Sequence, residues 1–220
     1  MRRLVRLSCD AALTSSAPFW AAGLHVAVLA AFVAAWGDGV GVPLWPSWSF
    51  YTQLRVVEVC LLAVLLPWTA ARGLPTGEAL SRVRLSGLTG APPSWLLLAR
   101  AAGTLSATAL VSLAPVPVAV LAQRMSGGSL LRVAAHEGAL LGLSATAVVT
   151  YLCVERRVGD PVTAWVTTSA VLTASGWMAL RVMPDPLLAA AALSLVAAFG
   201  LVWMARRSDH EDLYLPEPAP

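Results

Sequence analysis

Several ionisable side chains fall inside strongly apolar stretches of the sequence, at spacings that permit chemistry. Arg55 and Glu58 are three residues apart, which places both on one face of a helix, where they can form an ion pair. His136 and Glu137 are adjacent, and an imidazole beside a carboxylate can serve as an acid and a base. His25 stands alone in another apolar stretch, where we expect it to hydrogen-bond to a neighbouring helix.

Each of these groups has a structural and a functional interpretation, because an ionisable residue in lipid must face a partner or a water-filled cavity. For Arg55 and Glu58, a structural ion pair and the polar lining of a transport path would look the same in sequence, and we favour the pair. For His136 and Glu137, solvation near the outer membrane surface competes with proton transfer, and we favour solvation. All four residues remain candidates for the lining of a transport path.

The three cysteines, Cys9, Cys60 and Cys153, are isolated from one another and from histidines at metal-ligand spacing. They are typical of small packing residues in apolar interiors. We therefore expect no metal site. The chain also has no Gly-x-x-x-x-Gly-Lys loop, so any nucleotide hydrolysis must be supplied by another protein.

Composition places these groups in a membrane. The 220 residues are 58% hydrophobic and 12% charged, with a mean hydropathy of +0.72, whereas soluble domains carry about 25% charged residues. The sequence predicts an all-α integral membrane protein with six transmembrane helices. The predicted spans occupy residues 19–36, 54–71, 95–122, 133–154, 161–182 and 186–205.

The fifteen basic residues, all arginine, predict the orientation of these spans. With a cytoplasmic N-terminus, ten arginines lie on the inner side and three on the outer side, while Arg55 and Arg100 lie within span ends. Such a bias places both termini in the cytoplasm. The net charge of +3 therefore reflects membrane orientation, and we expect no nucleic-acid partner.

Three segments outside the spans complete the predicted organisation. Residues 1–18 are expected to form a cytoplasmic interfacial helix, with Pro18 at the turn into the bilayer. Residues 19–206 form the six-span domain, in which Pro115 and Pro117 should kink the third span. Residues 207–220, acidic and proline-rich, are expected to be a disordered cytoplasmic tail.

The cytoplasmic connection between spans two and three is the longest loop and includes the segment 73–94. Leu80, Val83 and Leu88 recur at helical spacing, with Glu78 near the start and Arg82 and Arg84 further on. This pattern predicts a short amphipathic helix. The pattern fits a solvated surface helix and a docking helix equally well.

The order of these elements resembles a known family. Ala17-Pro18-Phe19-Trp20 ends the interfacial helix, Gly77-Glu78-Ala79-Leu80 and Leu88-Thr89-Gly90-Ala91-Pro92-Pro93 lie in the long loop, and the third span opens with Trp95 to Arg100. This arrangement is similar to the membrane subunit of type-2 ABC exporters. The likeness in topology covers nearly the whole chain, and it is specific over residues 72–100. The chain departs from the family between spans five and six, where residues 182–186 leave no room for a re-entrant hairpin.

The resemblance implies a permease subunit in a bacterial inner membrane, driven by a separate ATPase subunit that binds the ATP, and paired with a second membrane subunit. The chain itself would hold no cofactor and no catalytic site, and its substrate would be lipophilic or amphipathic. In this family's arrangement, the residues that couple to the ATPase are Glu78, Leu80, Arg82, Val83, Arg84 and Leu88.

Two other classes of protein fit the same composition. A membrane-embedded enzyme acting on lipids would use His136 and Glu137 as acid and base. A non-catalytic assembly or immunity factor would share the helical bundle and bind a partner through the same cytoplasmic helix.

Overall fold

The fold is all-helical in the part of the chain that the computed structural model describes, which comprises residues 2–37, 50–72, 92–125, 127, 129–182 and 186–211. Its elements in chain order are α1 (Arg2–Thr14), α2 (Ser16–Gly37), α3 (Phe50–Arg72), α4 (Pro93–Leu113), α5 (Val116–Met125), α6 (Leu130–Val158), α7 (Pro161–Val182) and α8 (Pro186–Glu211).

Four helical segments of the described residues are long and apolar enough to cross a membrane, which indicates a helical membrane protein. They are Ser16–Trp36, Phe50–Arg72, Ser94–Met125 and Leu130–Val158. They contain the first four apolar stretches predicted from the sequence. A helix is the expected structure there, because it satisfies its own backbone hydrogen bonds where lipid offers none.

Proline divides the third of these segments, as predicted. Helix α4 ends at Leu113, Ala114 and Pro115 form a turn, and α5 begins at Val116. Proline at position 115 has no N–H to donate to the carbonyl of Val111, so the regular helical ladder is interrupted at that point.

The connection between α6 and α7 is only two residues long. Gly159 adopts the left-handed conformation (φ 73°) that glycine tolerates best, and its N–H donates to the carbonyl of Glu155 at 2.8 Å. Asp160 then accepts a hydrogen bond of 2.7 Å from the backbone N–H of Thr163, and Pro161 occupies the first position of α7.

Helix α1 packs chiefly along α4. The two helices approach most closely at Gly103, where an added Cβ would lie 2.6 Å from the carbonyl oxygen of Ser8. One turn further along, the thiol of Cys9 is 3.4 Å from the hydroxyl of Ser106. The break between α1 and α2 falls at Ser15, so Pro18 lies in the first turn of α2 and does not mark the bend.

The centre of the bundle is formed by α3 and α6, whose membrane-spanning windows are both 56% buried, whereas that of α2 is 22% buried. Leu62 and Leu66 of α3 pack with Leu140 and Leu143 of α6 in the main apolar core. Helix α6 also packs extensively on α8, where an added Cβ at Gly200 would meet Val149 at 2.6 Å. The candidate site described below lies between these central helices.

The predicted tail began at residue 207, but α8 continues to Glu211, so its first five residues are helical and that boundary was wrong. The predicted coupling residues Glu78, Leu80, Arg82, Val83, Arg84 and Leu88 lie outside the described residues.

Candidate functional site

Helix α3 presents three polar side chains on one face. Tyr51, Arg55 and Glu58 follow one another at intervals of four and three residues, so they line up along the helix. Arg55 donates one hydrogen bond to a carboxylate oxygen of Glu58 and another, at 2.7 Å, to the hydroxyl of Tyr51. The predicted Arg55–Glu58 pair is therefore confirmed, and Tyr51, which the sequence analysis did not select, belongs to it.

The guanidinium of Arg55 also binds a carboxylate from a different helix. Both of its terminal nitrogens lie 3.0 Å from Oε1 of Glu137 on α6. Arg55 is 6% exposed and Glu137 is 7% exposed, so this pair is withdrawn from solvent. The interpretation of Glu137 as a solvated interfacial residue was wrong. The physical reason is that α6 begins at Leu130, which places Glu137 about two turns inside the helix and opposite Arg55.

His25 of α2 lies next to the same cluster, beside Glu58. Its Nε2 lies 3.7 Å from Oε1 of Glu58, and both side chains are fully buried. Its Nδ1 lies 2.9 Å from the carbonyl oxygen of Val111 on α4. The expected hydrogen bond to a neighbouring helix is confirmed. The carbonyl that receives it is the one that Pro115 leaves without an intrahelical donor.

This geometry determines which ring nitrogen of His25 carries the hydrogen. The carbonyl of Val111 can only accept, so Nδ1 must be the N–H donor. A neutral imidazole then turns an acceptor, Nε2, toward Glu58 Oε1, which is an acceptor as well when the carboxyl is ionised. At 3.7 Å the two atoms are too far apart for a hydrogen bond, and they form an ion pair only if the imidazole is protonated.

The number of charged groups in the cluster also bears on its protonation. One guanidinium, that of Arg55, faces two carboxyl groups, Glu58 and Glu137. If both carboxyls are ionised, one negative charge stays uncompensated in an apolar interior, which is costly. One proton, on His25 or on either of the two carboxyls, balances it. The ionic cluster, defined as His25, Tyr51, Arg55, Glu58 and Glu137, thus connects α2, α3 and α6, and through Val111 also α4.

His136 lies at the edge of the ionic cluster and not within it. Its ring meets that of Tyr51 edge to face, with centroids 5.4 Å apart, and its Nδ1 is 2.8 Å from the carbonyl oxygen of Arg132 in the preceding turn. Glu137, its neighbour in sequence, is engaged by Arg55 instead. The two neighbouring side chains therefore have different hydrogen-bond partners in this structure.

A second interhelical ion pair lies nearer the opposite end of α6. Arg100 of α4 places its Nη2 2.7 Å from Oε2 and 2.8 Å from Oε1 of Glu155. Both side chains are less than one-fifth exposed. Arg100 was expected from the sequence to lie at a span end, whereas Glu155 was not expected to be its partner. The pair fixes the start of α4 to the end of α6.

Within the described ranges, no group of three or more histidine, cysteine or acidic side chains is arranged to hold a metal ion. Cys9, Cys60 and Cys153 are free thiols.

Comparison with models of known protein families gave no match, and comparisons with curated proteins and with solved structures gave none either.

Proposed function

We propose that this chain is the membrane subunit of an ATP-binding cassette exporter, a permease without its own ATPase site. In this proposal α2, α3, α4 with α5, α6, α7 and α8 supply six spans. Both termini face the cytoplasm of a bacterial cell, and the segment 73–94 docks on a separate ATPase. The observation that carries the proposal is that α4, which begins at the end of that segment, is held to both α1 and α6.

The first half of α4 has two fixed points. Arg100 is ion-paired with Glu155 of α6, and Gly103 lies against the backbone of Ser8 in α1. A displacement of segment 73–94 enters α4 at Pro93 and passes to both helices within three turns. Packed helices transmit such displacements as rigid elements. The geometry suits a lever that couples a cytoplasmic partner to the bundle.

The six-span topology draws support from α7 and α8. Their lengths, 22 and 26 residues, exceed the roughly 20 residues that cross a bilayer. On α8, Leu195, Phe199 and Val202 are all more than half exposed. Surfaces of this kind face lipid or another membrane subunit, in agreement with the proposed pairing of two subunits.

We assign the ionic cluster a structural role within this permease. Arg55 is engaged by two carboxylates and one hydroxyl of the same chain, so it offers little to a passing substrate. Residues satisfied within one subunit hold its helices in register. We therefore place the substrate path between two membrane subunits and not through the cluster.

The two alternative classes have weaker support. A lipid-modifying enzyme would need His136 and Glu137 to face one reacting atom, and their hydrogen bonds run to Arg132 and Arg55. An assembly or immunity factor would use the same bundle and loop without ATP, so only a test of coupling separates it from a permease.

The decisive experiment expresses the chain with the ATP-binding cassette protein encoded nearest to it and purifies the two in detergent. The proposal expects a stable complex that hydrolyses ATP, and loss of that hydrolysis in Glu78→Arg or Arg82→Glu. The matched control is Arg124→Glu, an exposed arginine at the end of α5, which should leave hydrolysis unchanged. An unaltered rate in the first two variants, or labelling of residues 77–90 from outside the cell, would refute the coupling assignment.

A further inference from the structure

The contact between His25 and Glu58 brings together two buried polar atoms that both lack a hydrogen-bond donor. Nε2 of His25 lies 3.7 Å from Oε1 of Glu58, both side chains are fully buried, and neither atom has a hydrogen-bond partner among the described residues. Nδ1 of the same ring donates its hydrogen to the carbonyl of Val111, so Nε2 of a neutral ring is an acceptor. Without a further proton, two unsatisfied acceptors therefore face each other in an apolar interior, which is costly.

The charges around this contact give a second and independent reason for a proton. Arg55 supplies one positive charge against the two carboxylates of Glu58 and Glu137, and all three side chains are withdrawn from solvent. A carboxyl group in such surroundings takes up a proton instead of bearing an uncompensated charge. The titratable side chains of the described residues at this place are His25 of α2, Tyr51, Arg55 and Glu58 of α3, and His136 and Glu137 of α6, while α4 contributes the carbonyl of Val111.

The geometry favours one place for this proton. On Glu137 it would remove the excess charge but leave the contact between Nε2 of His25 and Oε1 of Glu58 unchanged. On either of those two atoms it removes the excess charge and also gives the contact a donor. Glu137 has in addition both terminal nitrogens of Arg55 on its Oε1, whereas Oε1 of Glu58 has no hydrogen-bond donor among the described residues.

We propose that the ionic cluster binds one exchangeable proton at the contact between His25 and Glu58, so that the attachment of α2 to α3 depends on pH. With the proton the contact attracts the two helices, and without it an acceptor faces a carboxylate. The membrane-spanning window of α2 is 22% buried, against 56% for α3, so a single contact matters more to α2. This proton site goes beyond the proposed permease function and does not depend on it.

Polar side chains connect the proton site with one end of the bundle. Tyr51 is the second residue of α3 and Glu58 the ninth, so the two lie about 10 Å apart along the helix axis. Arg55 lies between them and donates to the hydroxyl of Tyr51. The ring of Tyr51 in turn meets that of His136, which is only partly buried. The proton therefore exchanges with solvent through the end at which α3 and α6 begin.

The pH dependence of unfolding tests the proposal on the full-length protein in micelles. The unfolding equilibrium constant is measured at pH 6 and pH 7 for the wild type, Glu58→Gln and Glu155→Gln. Glutamates of the unfolded chain are ionised at both pH values. A folded state that holds one extra proton is destabilised as pH rises, so the constant of the wild type relative to Glu58→Gln should rise about five- to tenfold. Glu155→Gln is the matched control, because Glu155 is paired with Arg100, and its ratio to the wild type should not change with pH.

Glu137→Gln provides a second reference, which also serves if Glu58→Gln does not fold. It removes the same excess charge, so the wild type should show the same pH dependence relative to it. Circular dichroism and elution volume check the folding of every variant. A ratio of the wild type to both variants that does not change with pH would overturn the proposal, and this is the result expected if a water molecule bridges the two atoms or Na⁺ balances the charge.

Nuclear magnetic resonance of protein labelled with ¹⁵N-histidine locates the proton. The Nε2 signal of His25, assigned by its absence from His25→Gln, should shift over the pH range in which the wild type loses stability. The same signal should not shift in Glu58→Gln. A stationary Nε2 signal in the wild type, beside a pH-dependent unfolding constant, would place the proton on Glu137 and overturn its assignment to the contact between His25 and Glu58.

Discussion

Nδ1 of His25 lies 2.9 Å from the carbonyl oxygen of Val111, four residues before Pro115. In a regular helix the N–H of residue 115 would donate to that carbonyl, and proline has none. A side chain from α2 thus supplies the hydrogen bond that α4 loses. The break in α4 and the lone histidine of α2, which are unrelated in the sequence, form one structural unit.

This unit predicts a coupling between two substitutions. His25→Phe leaves the carbonyl of Val111 without a donor, whereas Pro115→Ala restores the donor within the helix. The cost of His25→Phe should therefore be smaller in the Pro115→Ala background, by about 1 kcal/mol, the scale of hydrogen bonds between membrane helices. The free energies of unfolding of the four proteins in detergent give this difference directly. Additive effects would show that the carbonyl does not depend on His25.

Loss of the central cation should be among the most damaging changes to the ionic cluster. Arg55→Leu leaves Glu58 and Glu137 facing each other in an apolar interior, and we expect a loss of about 3–5 kcal/mol in the free energy of unfolding. Arg132→Leu is the matched control, because Arg132 is exposed near the start of α6. Denaturant titrations of both proteins in micelles measure the two losses. Similar stabilities for the two variants would contradict the importance given to the ionic cluster.

Because α1 packs closely on α4 at Gly103, replacing glycine with alanine should have opposite effects on stability at Gly103 and at Gly23. At Gly103 an added Cβ would lie 2.6 Å from both the carbonyl and hydroxyl oxygens of Ser8, whereas at Gly23 it would meet nothing within 4 Å. Gly103→Ala should therefore destabilise by about 1–3 kcal/mol through overpacking. Gly23→Ala should stabilise by roughly 0.5–1 kcal/mol, because alanine loses less entropy in a helix. Thermal unfolding midpoints that shift in the same direction would show that α1 does not pack on α4 in this way.

The start of α7 predicts a dependence of stability on pH. Hydrogen bonds from the hydroxyl and the backbone N–H of Thr163 hold the pKa of the Asp160 carboxyl below its ordinary value. A carboxyl with a lowered folded pKa stabilises the fold above its unfolded pKa, about 3.9, and this contribution is lost as pH falls below that value. Asp160→Ala should therefore lower the unfolding midpoint at pH 6 and do so less at pH 3.

Asp160→Asn provides the control for this measurement, because asparagine also accepts a hydrogen bond at a helix start and does not titrate. Its difference from Asp160→Ala should be the same at both pH values. If the wild-type protein keeps its full advantage over Asp160→Ala at pH 3, the carboxylate is not the group responsible.

Much of the helical layout could be read from the sequence, for physical reasons that particular residues show. The predicted fifth span, 161–182, has the same bounds as α7. Gly159 ends the preceding helix and Pro161 begins α7, so the sequence marks this boundary clearly. The break at Pro115 follows directly from a missing donor. The predicted spans were shorter than the observed helices, because the helices include Tyr51 and Arg156, which lie beyond the apolar stretches. Helix formation does not stop where apolarity does.

The candidate site was predictable only where its partners are close in sequence. Arg55 and Glu58 share a helix turn, so their spacing alone indicates a pair. Glu137 is 82 residues from Arg55, and no local pattern connects them. An apolar stretch also cannot indicate which side of a helix meets another chain segment. For this reason Glu137 was taken for an interfacial residue, and Glu155 was not recognised as the partner of Arg100.

The distance along the chain between Arg55 and Glu137 has a consequence for biosynthesis. At a synthesis rate of about 5–20 residues per second, the ribosome needs roughly 4–16 s to make the 82 residues that separate them. During that interval Glu58 is the only acidic side chain that α3 itself offers to Arg55. The ion pair internal to α3 thus neutralises the charge of Arg55 first, and α6 later brings Glu137 as its second carboxylate partner.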